Sequence, residues 1–135
     1  MNYTQKHKIS SFREKINRLI PIITKEVAGF EGFIIMRNDG LVISHFLPSG
    51  VDEYLFSAIA VSIFSLSQKA FSELDYGEIE YIVLHGLKKQ LVISRVSREF
   101  IICFLVSKEV KLNFILKGIF EVIKKISELW EYNVP

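Results

Sequence analysis

A lone cysteine and three histidines are the first side chains in this sequence to consider as a nucleophile or as zinc ligands. Cys103 lies within the apolar run 101–105, whereas a reactive thiolate needs cationic and partly exposed surroundings. His7, His45 and His85 have no Cys or His partner at the spacing of a zinc site. We therefore expect Cys103 to be a core side chain and the sequence to hold no metal centre.

The acidic residues give no stronger case for catalysis. Asp39 and Gly40 stand between two β-rich runs, which is typical of a hairpin turn. Asp52 and Glu53 are adjacent, so on a helix their carboxylates would point apart. The sequence contains no P-loop, no Gly-x-Gly-x-x-Gly and no Gly-x-Ser-x-Gly. We expect no enzyme activity and no cofactor, so that the function depends on surfaces.

The first helix is predicted from a capping-box pattern, Ser11 to Glu14. Pro21 predicts a kink or a short break, because its ring clashes with a carbonyl one turn earlier. Gly29 ends the pattern. The apolar residues recur at helical spacing, at Phe12, Ile16, Leu19, Ile20, Ile23 and Val27.

Five β-rich runs and two further helices follow. A second helix is predicted over about 52–74 and a last helix from about Lys108. The run 100–106 is almost continuously apolar, which favours a central strand. The order αββαβββα predicts an α+β fold, an α-β sandwich with one five-stranded antiparallel sheet flanked by helices. It would form one domain over 1–135, with 1–9 flexible or extending the first helix. The predicted strands are 33–37, 41–46, 78–85, 91–96 and 100–106.

The second helix has two unlike faces. One arc carries large apolar residues and is predicted to pack on the sheet: Leu55, Phe56, Ile59, Ile63, Leu66, Ala70 and Leu74, with Phe64 and Phe71 widening it. The opposite face is small and almost uncharged, unlike a typical solvent face. We predict that this face meets a second subunit through Ser57, Ala58, Val61, Ser62 and Ser65.

The third strand could complete that interface. Ile79, Tyr81 and Val83 alternate with their neighbours, and at a sheet edge the unpaired amides would invite pairing with a symmetry mate. The alternative is that this strand pairs internally and the second helix is an ordinary amphipathic cover. The residues alone leave both alternatives open.

Composition narrows the class of protein. Hydrophobic residues make up 50% of the chain, and a net charge of +2 comes from 17 basic and 15 acidic residues without long basic clusters. We therefore expect no nucleic-acid partner. The uncharged run 54–68 contains four serines and a glutamine, so no membrane insertion is expected. A single cysteine and no signal peptide favour the cytoplasm.

Residues 29–44 carry a resemblance to a known family. The stretch Gly29-Phe30-Glu31-Gly32, the strand after it, the Asp-Gly turn and the second strand resemble the opening of Roadblock domains. With the element order, the resemblance covers about 16–126 and implies a fold of Roadblock, longin or profilin type. At 110–114 the sequence Val-Lys-Leu-Asn-Phe replaces the Asn-Leu-Gly-type entry to the last helix that the family often has.

The resemblance implies a function as well as a fold. Roadblock modules dimerise by pairing their third strands and packing their second helices, which favours the interface predicted above. The partner would be a second copy or a Roadblock paralogue. Family members act as scaffolds or activators of Ras-like small GTPases, as signalling adaptors or as motor light chains. No catalytic arginine of the family can be transferred to a position here.

Two other functions fit the predicted elements. A sheet flanked by helices also occurs in small-molecule sensors of PAS-like or profilin-like type, in which the eleven phenylalanines could line a cavity. The chain could also be a structural subunit of a motor or signalling complex.

Overall fold

A computed structural model describes residues 1–132 and contains the predicted order of elements. The five strands form one antiparallel sheet in the order β2-β1-β5-β4-β3. Helices α1 and α3 cover one face and α2 covers the other. The predicted αββαβββα sandwich is therefore confirmed. Its elements are α1 (Tyr3–Glu26), β1 (Phe30–Arg37), β2 (Val42–Phe46), α2 (Glu53–Glu73), β3 (Tyr81–His85), β4 (Lys89–Arg95), β5 (Phe100–Ser107) and α3 (Leu112–Glu131).

Strand β5 is central, as its apolar sequence predicted. Its side chains alternate between two cores, because successive residues of a strand point to opposite faces. Phe100, Ile102 and Phe104 pack toward α1 and α3, whereas Ile101 and Cys103 pack toward α2. Cys103 is fully buried, and burial raises the pKa of its thiol to about 12. The prediction that it is a core side chain is confirmed.

Helix α1 begins earlier than its sequence pattern predicted. Asn2 and Gln5 form the capping box, so the predicted start at Ser11 is wrong. The additional turns bury Ile9, and this packing favours the longer helix. The helix also runs through Pro21 without the predicted break, and the Thr24 hydroxyl donates a hydrogen bond to the Pro21 carbonyl at 2.8 Å.

The two glycines at the start of the hairpin, Gly29 before β1 and Gly32 within it, have different roles. Gly29 has φ +71°, a conformation that side chains with a Cβ rarely adopt. Gly32 lies so close to β2 that a Cβ would stand 2.7 Å from the Phe46 carbonyl oxygen. The first glycine therefore allows the turn out of α1, and the second allows the close pairing of β1 with β2.

The turn between β1 and β2 confirms the predicted hairpin. Gly40 has φ +94°, and its amide donates to the Arg37 carbonyl at 2.8 Å. The Asp39 carboxylate accepts hydrogen bonds from the Arg37 guanidinium at 2.7 Å and from the Leu41 amide at 3.2 Å. The guanidinium, more than the amide, lowers the pKa of Asp39 to about 2.

This low pKa predicts an acid-dependent contribution to stability. The folded pKa of Asp39 lies below its ordinary value of 3.8, so the contribution is present above about pH 4 and is lost as the pH falls toward 2. Because the side chain is 60% exposed, we expect Asp39→Asn to lower the free energy of unfolding by only about 0.5 kcal/mol at pH 7. Urea titrations from pH 7 to pH 2 should show this difference disappearing. An equal difference at both ends would assign the effect to the turn backbone instead.

Candidate interaction surface

Helix α2 contacts the sheet through two small residues and one large one. Ser57, Ala60 and Phe64 are its buried side chains and lie on one face, three and four residues apart. The Ser57 hydroxyl donates to the Gly40 carbonyl at 2.7 Å, which fixes the start of the helix on the β1–β2 turn. The Asp52 carboxylate caps the helix by accepting from the amides of Tyr54 and Leu55. Small residues at positions 57 and 60 let the helix approach the sheet closely.

Several large apolar residues of α2 face outward. Leu55, Ile59 and Leu66 are 61%, 50% and 71% exposed. Together with Ser62 they follow the 4–3–4 spacing of a single helix face, and we call these four residues the outer stripe. The prediction that this arc packs on the sheet is therefore wrong for Leu55, Ile59 and Leu66. Phe56, Ile63 and Phe64 do pack on the core between α2 and the sheet. The sheet surface under α2 is already covered by large side chains, those of Ile34, Met36, Ile93 and Ile101. The helix face with Ser57 and Ala60 can therefore approach the sheet more closely than the outer stripe could.

Helix α2 is apolar along most of its length. The segment Glu53–Glu73 has a mean hydropathy of 1.3 and, by length and composition only, could cross a membrane. Within an 18-residue apolar stretch of this helix, only 17% is buried. Monomeric proteins rarely leave so much contiguous apolar surface uncovered.

The residues predicted for the interface on α2 lie in different places. Ser57 is fully buried beneath Gly40, so it does not lie on the outer face predicted for it. Val61 is half-buried against the core under α2. Ala58, Ser62 and Ser65 are exposed beside the large residues of the outer stripe. The structure thus groups three of the five small residues with the large arc rather than opposite it.

Strand β3 lies at the sheet edge, where among residues 1–132 it pairs with β4 alone. It begins at Tyr81 instead of Glu78, because the Ile79 amide donates to the Gln68 side chain of α2 at 3.0 Å. Ile79 is therefore held against α2, whereas Tyr81 and Val83 face α3, with the Tyr81 ring 5.8 Å from that of Phe120. Ile79 thus lies on the α2 side of the sheet, apart from Tyr81 and Val83, and the place of these three residues in a dimer interface stays a prediction.

The other side of β3 faces α2. Ile82 packs against the core under α2, and Leu84, on the same side of the strand, is 39% exposed. Between residues 54 and 68 the helix carries no charge, and Lys69 and Glu73 follow toward its C-terminus. The outer stripe and the β3 edge together form the candidate interaction surface.

Comparison with known sequences supports a family assignment. The sequence model of the Roadblock/LC7 domain matches residues 24–105. An uncharacterized protein of Methanocaldococcus jannaschii, MJ0310, is 31% identical over 71 residues, which are 53% of this chain. A second from the same organism, MJ0714, is 33% identical over 58 residues, 43% of this chain. The aligned parts span 61% and 49% of the lengths of these relatives.

Solved structures with low sequence identity have the same fold. The Roadblock/LC7 domain from Streptomyces avermitilis superposes with a TM-score of 0.76 at 17% identity, covering 84% of this chain and 96% of that one. Myxococcus xanthus MglB gives a TM-score of 0.80 at 15% identity, covering 87% and 95%. The element order, the sheet topology and the match over 24–105 lead to one assignment. This chain belongs to the Roadblock/LC7 domain family.

Proposed function

We propose that the chain is a non-catalytic dimerisation module of the cytoplasm that scaffolds or regulates a Ras-like small GTPase. The observation that carries this proposal is the outer stripe, whose large side chains are at least half exposed on an uncharged helix face. A second protein surface is the natural cover for such a face. The family assignment supports the GTPase, because Roadblock modules act as scaffolds or activators of such proteins.

The dimer partner is a second copy of the chain or a Roadblock paralogue. In a twofold arrangement the outer stripes lie antiparallel, with Leu55 and Ile59 of one copy near Leu66 of the other. Ser62, near the middle, leaves room for close approach. Fully burying a leucine or isoleucine contributes about 1.5–3 kcal/mol, and association costs about 4–15 kcal/mol. We therefore expect main-chain pairing along the β3 edges to contribute as well.

The joined copies would present one composite face to the GTPase. No arginine of this chain has an assigned catalytic role, so any stimulation of GTP hydrolysis would come from positioning the switch loops of the GTPase. The chain itself would carry out no chemical step. Covering the outer stripe in the dimer would also remove the apolar helix face from water.

Ser62→Arg tests the dimer. The side chain of Ser62 is exposed in one copy, so the substitution leaves the fold of the subunit intact. In the dimer it would bury a charge without a partner, which is strongly destabilising. We expect light scattering to give about twice 15.6 kDa for the wild type and 15.6 kDa for Ser62→Arg. Ser10→Arg, the same change at an exposed position of α1, should stay dimeric.

The same variants test the GTPase. Purified Ras-like GTPases from the same genome, loaded with GDP or a GTP analogue, should bind the wild type and Ser10→Arg in a nucleotide-dependent way. Binding should be lost with Ser62→Arg. A wild type that is monomeric at every concentration would contradict the homodimer, and a dimeric Ser62→Arg would contradict the interface. If no GTPase bound the wild type in either nucleotide state, the proposed partner would be contradicted.

A further inference from the structure

We propose that Arg13 closes the β2 edge of the sheet and thereby restricts edge-to-edge association to β3. A sheet edge presents main-chain groups that can pair with another chain. This sheet has two edges, β2 and β3. The inference goes beyond the proposed function and uses it only in taking β3 as the open edge.

The β2 edge is occupied by a side chain from α1. The Arg13 guanidinium donates to the Ile43 carbonyl at 2.6 Å through Nε and to the Val42 carbonyl at 3.4 Å through an Nη. A guanidinium suits this role because it is always charged and presents several donors in a fixed plane. Two neighbouring carbonyl groups are thus already bonded within the subunit.

Further features keep a second strand away from β2. The pairing of β1 with β2 shifts register between Ile35 and Met36, and such bulges bend an edge strand. The Ser44 hydroxyl donates to the Asn17 side chain of α1 at 2.6 Å. The His45 Nε2 contacts the Glu53 carboxylate of α2. Helices α1 and α2 therefore both contact β2. Among these contacts, only those of Arg13 reach the main chain of the strand.

In the part of the chain that the structure describes, the β3 edge has no corresponding cover. Within residues 1–132, no side chain hydrogen-bonds to the main chain of 81–85, although the Ser94 hydroxyl reaches the Glu80 carbonyl just before the strand at 3.1 Å. One open edge allows two copies to pair and then stop. Two open edges would let each copy pair on both sides, which produces open chains of subunits.

Arg13→Met tests this difference, because it keeps an apolar stem and removes every donor. In the wild-type background we expect species larger than the parent, increasing with protein concentration. In the Ser62→Arg background we expect new dimers formed through β2, with a mass of about twice 15.6 kDa by light scattering. Arg13→Lys keeps the charge and one donor group, and should give an intermediate degree of association.

Arg18→Met is the matched control, because it removes the same charge from an exposed position of the same helix. It should leave the mass unchanged. Circular dichroism and thermal melts verify that each variant is folded. If Arg13→Met does not fold, Arg13→Lys is used to test the proposal. An Arg13 variant that is folded and has the mass of its parent would overturn this proposal. A monomeric wild type would contradict only the homodimer, since the Ser62→Arg background tests Arg13 separately.

Discussion

Replacing Gly118 with alanine will destabilise the fold by about 3 kcal/mol, at the upper end of the range for overpacked cores. At Gly118, α3 touches the end of α1. A Cβ there would stand 1.9 Å from the Glu26 carbonyl oxygen and 3.1 Å from the Val27 Cα. Both obstacles are main-chain atoms, so no side-chain rotation can relieve the clash. The two helices would have to separate, and the core between them would lose contacts.

The sign of this effect is diagnostic. On helix propensity alone, alanine would stabilise α3 by about 1 kcal/mol relative to glycine. Urea denaturation at one fixed protein concentration measures the difference. Lys117→Ala, at the adjacent and exposed position, should change the free energy of unfolding by less than about 0.5 kcal/mol. A Gly118→Ala variant as stable as the wild type would show that α1 and α3 can move apart without cost.

The order of elements could be predicted from the sequence because its signals are local. The Asp39-Gly40 turn needs positive φ at the glycine, and the structure has φ +94° there. Every residue of the run 100–106 is apolar, as expected for a strand that is covered on both faces of the sheet. Such signals depend on neighbouring residues and on nothing distant. Helix starts are weaker signals, as Ser11 shows, because packing of Ile9 decides where α1 begins.

The orientation of α2 could not be predicted in this way. Apolar residues cover most of its circumference, so periodicity does not tell the face toward its own sheet from a face toward another protein. The face with small residues at 57 and 60 approaches the sheet, where Ser57 bonds to Gly40. Leu55, Ile59 and Leu66 remain outside. The bond from Arg13 to the main chain of Val42 and Ile43 joins residues about thirty apart, and no local pattern indicates it.

Phe64→Ala should lower the free energy of unfolding of the subunit much more than Leu66→Ala, because the two residues lie on different faces of α2. Phe64 is 1% exposed and is the largest buried side chain of the helix, with the Arg95 guanidinium carbon 4.8 Å from its ring centre. Removing the ring would leave a cavity between α2 and the sheet, and such changes cost about 3–5 kcal/mol. Leu66 is 71% exposed, so its truncation in an isolated subunit should cost less than about 0.5 kcal/mol.

Both substitutions are best measured in the Ser62→Arg background, because association makes apparent stability depend on protein concentration. Urea denaturation there reports the subunit alone, and light scattering of Leu66→Ala without Ser62→Arg reports the interface. We expect Phe64→Ala to weaken the fold in the monomer and Leu66→Ala to weaken only the dimer. Equal losses of subunit stability would restore the prediction that the large apolar arc packs on the sheet. Loss of association on truncating Leu66, with the fold intact, would instead place that residue against a second protein.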